Sequence, residues 1–369
     1  MKFTVLKDNL LKSLNVVNKA VNPRSTIPVL SNVLIRTEKG RLKLNTSDLQ
    51  VTVSAWVGAK IDTEGEITIP SRLLAEFVNQ ISDEKINFDL EGLILKVSTE
   101  KVKATFSGMT AAEFPDIEAT EEGINIDLDS TEFNKALQYV GYSAATDDGR
   151  PVLRGLLFKT EDTDLIIAST DGFRMAEYRI KLKKKIKEEI ACIVPAKALI
   201  DIVKTFTSIS KSISIRINPK RNVVLFHVED MEAQIRMIDG DFPDYESVVP
   251  DEFTTSIKFA KSDLTNAIRL ASIFSRDAGN TVKIIASESE IKTLSQPSET
   301  GTNSSLVKGD FTGSEIEIAF NAKYLLDFLT NINEDEIEFQ ALESLKPGMF
   351  RTLGNENYFY LVMPVKANW

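Results

Sequence analysis

Cysteine and histidine are almost missing from this chain, which holds one of each in 369 residues. A lone Cys192 excludes an intrachain disulfide and any multi-cysteine metal site. Its setting, ACIVPAK, reads as an apolar strand with a buried structural thiol. His227, in VVLFHVED, has no serine, cysteine or paired carboxylate pattern beside it, which removes the common routes to acid–base and nucleophilic catalysis. There is no glycine-rich phosphate loop of the Walker or Rossmann type, and no set of carboxylates has metal-ligand spacing. Neither a cofactor nor a metal is expected. No run of 18 apolar residues occurs, so no membrane span is expected. The start, MKFTVLKDNL, lacks the apolar core of a signal peptide and points to the cytosol. The net charge of −10 argues on its face against nucleic acid, because phosphate binding runs on Lys and Arg.

What is present is repetition. EFPDI at 113–117 returns as DFPDY at 241–245, 128 residues later. Phe supplies an apolar anchor, Pro fixes φ, and Asp can bond its own backbone to turn the chain. Three segments share one helical stripe: ITIPSRLLAEFVNQI (67–81), CIVPAKALIDIVKTF (192–206) and IAFNAKYLLDFLTNI (318–332). Leu73, Leu74, Phe77, Val78 and Ile81 correspond to Ala198, Leu199, Ile202, Val203 and Phe206, then to Tyr324, Leu325, Phe328, Leu329 and Ile332. Pro70 and Pro195 stand at the helix starts, and Asn321 fills that place as an N-cap. A second helical pattern opens each copy, with the pairs Leu10/Leu14, Phe133/Leu137 and Leu264/Ile268. Between them lie alternating segments such as GRLKLNTSD, KINFDLEGLILKVSTE and SISIRINPKRNVVLFHVE, which read as half-buried strands joined by hairpins.

These patterns give an α+β chain of three tandem domains, at 1–122, 123–250 and 251–369, each with two helices packed on antiparallel sheets. The FPD phrases are exits from the first two domains. The third ends in YFYLVMPV, and no fourth domain is expected.

Together with TIPVLSNVLI, STDGFRMAEYRI, FPDYESVVP and YLVMPV, this organisation closely resembles the bacterial replicative sliding clamps, the β subunits of DNA polymerase III. The likeness covers the whole chain. It implies a homodimer closed head to tail into a six-domain ring around double-stranded DNA, without base readout. It also implies a processivity role without catalysis of its own, as part of a nucleotidyltransferase holoenzyme. The partners implied are the replicative polymerase catalytic subunit, the clamp loader and other proteins carrying a clamp-binding motif.

Charge fits that reading once it is divided. The six expected helices sum to +4, leaving −14 for the rest of the chain. Arg72, Lys197 and Lys323 occupy equivalent first-turn positions, each followed four residues later by an acid, Glu76, Asp201 or Asp327. First-turn cations oppose the helix dipole, and base-before-acid is the weaker order. They read either as weak surface pairs or as groups facing a phosphate backbone, and the resemblance favours the second. It adds Lys12, Arg24 in NPRST and Arg150 in TDDGRP as DNA-facing residues. The basic run KLKKKIKEE (181–189) reads instead as an exposed strand end protected by lysine.

The resemblance further implies a groove that takes a short hydrophobic peptide. Its matching positions are Thr170, Gly172, Phe173, Arg174, Met175, Pro243, Val248, Leu345, Leu361, Val362, Met363, Pro364 and Val365. The family usually has His where Phe173 stands and Met where Val365 stands, and often Arg near Ser247. It often ends Arg-Leu where this chain continues KANW. Phe106, Ile273 and Phe274 match the dimer joint. Two other readings stay open: an enzyme, and an acidic scaffold that binds proteins but never DNA.

Overall fold

The computed structural model describes residues 1–22, 25–38, 40–115, 122–186, 189–276, 279–295, 301–367 and 369. Arg24 and Asp116 lie outside the described residues. Six α-helices form where the two apolar patterns foretell them: α1 (Lys7–Val17), α2 (Ser71–Gln80), α3 (Ser130–Gly141), α4 (Ala196–Thr207), α5 (Lys261–Ser275) and α6 (Ala322–Asn331). Asn321 caps α6 by accepting from the Lys323 amide at 2.9 Å. Pro70 differs slightly from expectation. It ends the strand Glu66–Pro70 and stands just before α2, not inside its first turn.

One backbone bond recurs in all three copies. The first amide of each opening helix donates to a carbonyl just ahead of the strand that follows the copy's second helix: Lys7 to Glu84 at 2.8 Å, Ser130 to Lys211 at 3.0 Å, and Lys261 to Asp335 at 2.8 Å. Each bond satisfies a helix-end donor that would otherwise have no partner. Because the acceptors are main-chain oxygens, their residue types are free to differ in charge.

The chain divides into two compact units, residues 1–131 with 198–237, and residues 132–197 with 238–369. In the first unit α1 and α2 pack side by side beneath a 12-stranded antiparallel sheet. Leu10, Leu14, Val17, Leu74 and Val78 point into that core. The strand Val51–Thr63 pairs with three others. Residues 59–63 run against Lys2–Leu6, residues 52–58 against Arg41–Ser47, and residues 51–55 against Met231–Arg236 of the central copy. The sheet therefore continues from one copy into the next.

The second unit repeats this plan. Its helices α5 and α6 pack together under another 12-stranded sheet. Arg174–Lys181 pairs with Asp164–Thr170 on one side and, from Arg174 to Tyr178, with Asn355–Val362 of the third copy on the other. Phe242, from the second FPD phrase, packs against the apolar cluster of Leu157, Met175, Tyr245, Met349 and Leu361. Phe114, from the first, is buried with Val29, Leu30 and Leu34 in the first unit. Phe114 thus packs on residues of its own copy, whereas Phe242 packs on residues of both the second and the third.

Candidate functional site

The turn between Asp164–Thr170 and Arg174–Lys181 is built by its own side chains. Asp171 Oδ1 accepts from the amides of Phe173 at 2.9 Å and Arg174 at 3.1 Å, and Thr170 Oγ1 accepts from Gly172 N at 3.0 Å. Gly172 adopts φ +92°, a region that penalises any side chain. A Cβ there would also sit 3.0 Å from the Arg150 guanidinium, whose Nη2 donates to Asp171 O at 2.8 Å. The result is a rigid tip that holds Phe173 outward, 58% exposed.

Beneath the tip lies a layered stack. Phe173 stacks on Tyr324 of α6, with centroids 6.5 Å apart. The Arg174 guanidinium lies 4.6 Å from the centre of the Tyr324 ring and 5.8 Å from that of Tyr142. Arg174 also forms ion pairs with Asp171 at 2.9 Å and Asp327 at 2.6 Å. Burial works against its charge, but the Tyr360 phenol, Asp327 and Asp171 outweigh it and raise its pKa. Arg174 is a permanent cation that fastens the tip to α6.

The other face of the same strands forms an apolar bed. Met175, Leu361 and Met349 lie side by side in the ladder, covered by Tyr245. The Tyr245 hydroxyl donates to buried Glu177 at 2.7 Å, and Arg179 Nε donates to the other oxygen of the same carboxylate at 2.7 Å. Val248, Leu345 and Met363 are exposed apolar side chains. Met363 is tied to the tip through its amide, which donates to Phe173 O at 2.8 Å.

Two further apolar patches lie open. Leu73 is exposed on α2 beside half-buried Phe77. Ile273 and Leu270 are exposed on α5, and Leu306 is exposed on the strand Ser304–Gly313. Among the described residues, no strand pairs with the outer edge of Lys103–Ser107, and none with the free side of the Ser304–Lys308 half of its strand.

Arg72, Lys197 and Lys323 are exposed at their helix starts, and among the described residues none of them forms an ion pair. Asp327, four residues after Lys323, is committed to Arg174 instead. The weak-surface-pair reading therefore loses its pairs.

Comparison with known proteins identifies the family. Three consecutive family models match the chain: the N-terminal domain of the DNA polymerase III beta subunit over residues 1–118, its central domain over 127–244 and its C-terminal domain over 246–366. The chain belongs to the DNA polymerase III beta subunit family. It is 26% identical to the beta sliding clamp of Vibrio cholerae, over 99% of this chain and all of that one. It is 25% identical to that of Staphylococcus epidermidis, with both chains fully covered. Among solved structures, the DNA polymerase III subunit beta from Pseudomonas aeruginosa superposes with a TM-score of 0.94 at 26% identity, each chain covered in full. The same organism's clamp has also been solved bound to griselimycin, with a TM-score of 0.93, 26% identity and full coverage of both chains.

Against this β-subunit fold, the residues singled out in the sequence separate by exposure. Thr170, Arg174, Met175, Leu361 and Val362 are buried and shape the surface from below. Gly172, Phe173, Pro243, Val248, Leu345 and Met363 are exposed, and Pro364 and Val365 are half-buried beside them. Arg150 is held by the groove tip, so it supports Gly172–Phe173. Lys12 lies 3.8 Å from Glu229, a long contact between two exposed groups. Phe106 is nearly buried and meets Phe77 edge-on at 5.3 Å, so Phe77 and Leu73 form the outer surface there. Cys192 is half-buried, not fully buried as expected, and the partial burial pushes its thiol up to about 12. His227 is exposed on Val223–Val228.

Sequence reasoning missed Tyr324, Tyr245, Leu73 and Leu306. A signal existed for the first: Tyr324 is the one aromatic residue at a repeat position that holds Leu73 and Ala198 in the other copies. Leu73 looked like core because it sits on the apolar stripe. It is the member of the stripe that the monomer leaves bare.

Proposed function

We propose that two copies of this chain close into a ring around duplex DNA and tether the replicative polymerase to it, with no catalytic step of their own. Within the holoenzyme the chain would be the processivity subunit, acting on nucleoid DNA in the cytoplasm. The observation that carries this reading is an unfinished repeat of the seams. In the first copy residues 51–55 take a strand from the second copy, and in the second copy residues 174–178 take one from the third. The equivalent half-strand of the third copy, Ser304–Lys308, has a free side, and Lys103–Ser107 of the first copy is left over at the other end. Antiparallel pairing of those two edges between copies would extend both sheets, with apolar side chains as anchors.

The seam inside the second unit supports the choice of anchors. There Tyr142 packs on Tyr360 with centroids 5.5 Å apart, and Tyr324 stacks on Phe173. The 131-residue offset that maps Phe133 to Leu264 and Leu137 to Ile268 also maps Tyr142 to Ile273, and Tyr324 corresponds to Leu73. Both counterparts are exposed in the single chain, as residues waiting for each other would be. Sedimentation at known concentration, combined with retention on circular but not linear DNA, tests the ring. A chain that stays monomeric at micromolar concentration would overturn it.

We assign partner docking to the exposed apolar side chains Phe173, Val248, Leu345 and Met363, against which an extended peptide with one or two large apolar side chains would pack. Griselimycin, bound by the Pseudomonas relative, is the available probe. Met363→Ala with Pro364→Ala is expected to stay dimeric yet lose griselimycin binding and polymerase stimulation. Wild-type affinity in that variant, measured by fluorescence anisotropy, would place the docking surface elsewhere. Affinity is also expected to stay nearly constant between about pH 5.5 and 7.5, because no imidazole lines this surface. A step in that interval would contradict the assignment.

A further inference from the structure

The described residues that follow the strand Asn355–Val362, 363–367 and 369, have no helix or ladder of their own, yet they are tied down at three points. Met363 N donates to Phe173 O, and Val365 N donates to Ala319 O, each at 2.8 Å. Ala319 belongs to Ile316–Asn321, the edge strand of the second sheet, so the segment runs along that edge as a strap. The third tie is Lys283, on the strand Thr281–Ser287. Its ammonium donates to the backbone carbonyl of Trp369 and lies 4.7 Å from the centre of the Trp369 ring. Glu317 Oε1 forms an ion pair with it at 2.6 Å.

This lysine is only 7% exposed, which is unusual for a residue that normally keeps its head group in water. A buried ammonium is costly unless it is paired and hydrogen-bonded. Here a carboxylate, a carbonyl and an indole face share the task. Trp369 is thus held by a charge that in turn needs Trp369 as cover. Between the strand end and this contact lie Met363, Pro364 and Val365, the residues placed at the groove.

We propose that Lys283 and Trp369 form a latch that holds Met363–Val365 in position as one wall of the docking groove. The role of the wall rests on the groove assignment above; the latch itself does not. Lys283 and Trp369 are positioning residues, since neither lies among the groove residues.

Hydrogen exchange of the Met363 and Val365 amides in the full-length protein tests the latch directly. In Lys283→Met and in Trp369→Ala both amides are expected to exchange about tenfold faster, as local opening becomes easier. Trp369→Phe, which keeps an aromatic cover, is expected to restore most of the protection. In a Trp56→Phe background, which leaves Trp369 as the one tryptophan, Lys283→Met is expected to shift its emission to the red. Griselimycin affinity should fall by a smaller factor, about two- to fivefold, through the added cost of ordering the wall on binding. Unchanged exchange at both amides in both variants would overturn the latch, and tighter griselimycin binding in them would overturn the role of the wall by making the strap an obstruction. If exchange responds as expected but the wild type binds no griselimycin, the latch stands and the groove assignment fails.

Discussion

Replacing Ile273 and Phe274 together by alanine is expected to yield a folded monomer. Ile273 is 54% exposed in the single chain, so its loss costs little in folding. Phe274 is half-buried, with its ring 3.3 Å from the point where a Gly301 Cβ would lie. Between copies each truncation would remove a buried apolar group worth roughly 2–5 kcal/mol. Even the lower figure for both, about 4 kcal/mol, weakens association on the order of a thousandfold. Analytical ultracentrifugation at nanomolar concentration reads the outcome, with circular dichroism as the check on folding. Leu306→Ala, on the free edge itself, is expected to act in the same direction but less strongly. A double variant that still sediments as a dimer would move the joint away from these edges.

The second large effect concerns the helix starts. Reversing Arg72, Lys197 and Lys323 to glutamate is expected to slow loading and weaken DNA contact most at low salt. Counterion release makes the logarithm of affinity fall with the logarithm of salt by about 0.9 for each phosphate contact, so the triple variant should show a visibly shallower slope. Local helix physics pulls the other way: an acid in the first turn favours the helix dipole, so these variants should fold at least as well as the parent. Better folding with poorer DNA binding is a combination that a merely structural role would not produce. Unchanged salt dependence would return the three residues to ordinary surface charge.

Much of this was legible because apolar periodicity is a direct image of burial. Leu10/Leu14, Phe133/Leu137 and Leu264/Ile268 marked three opening helices, and all six side chains are buried. The turn at Asp171–Gly172 was legible for a similar reason, since few residue types satisfy its backbone. Long-range partnerships were not. Nothing in the spacing of Arg174 and Asp327, 153 residues apart, hints that they meet. The periodicity also cannot tell a residue buried within one chain from one reserved for a second copy. Leu73 and Leu74 look alike in the sequence, yet one is bare and the other fully covered. Arg150 shows the converse limit: nothing in the loop TDDGRP hints that its guanidinium donates to the Asp171 carbonyl.

The two seams inside each chain are crossed twice, by paired strands and by the covalent backbone that leads from one copy to the next. The joint between chains would be crossed only by paired strands and apolar contact. In a closed assembly under tension, that joint is the weak link, and parting it unfolds nothing: the two edges exist fully formed before they meet. Admitting a duplex then requires prying apart one such joint while the other serves as a hinge, and resealing requires only that two ready-made strands find their register again. The unfinished ladder of the single chain would then be, in mechanical terms, its gate.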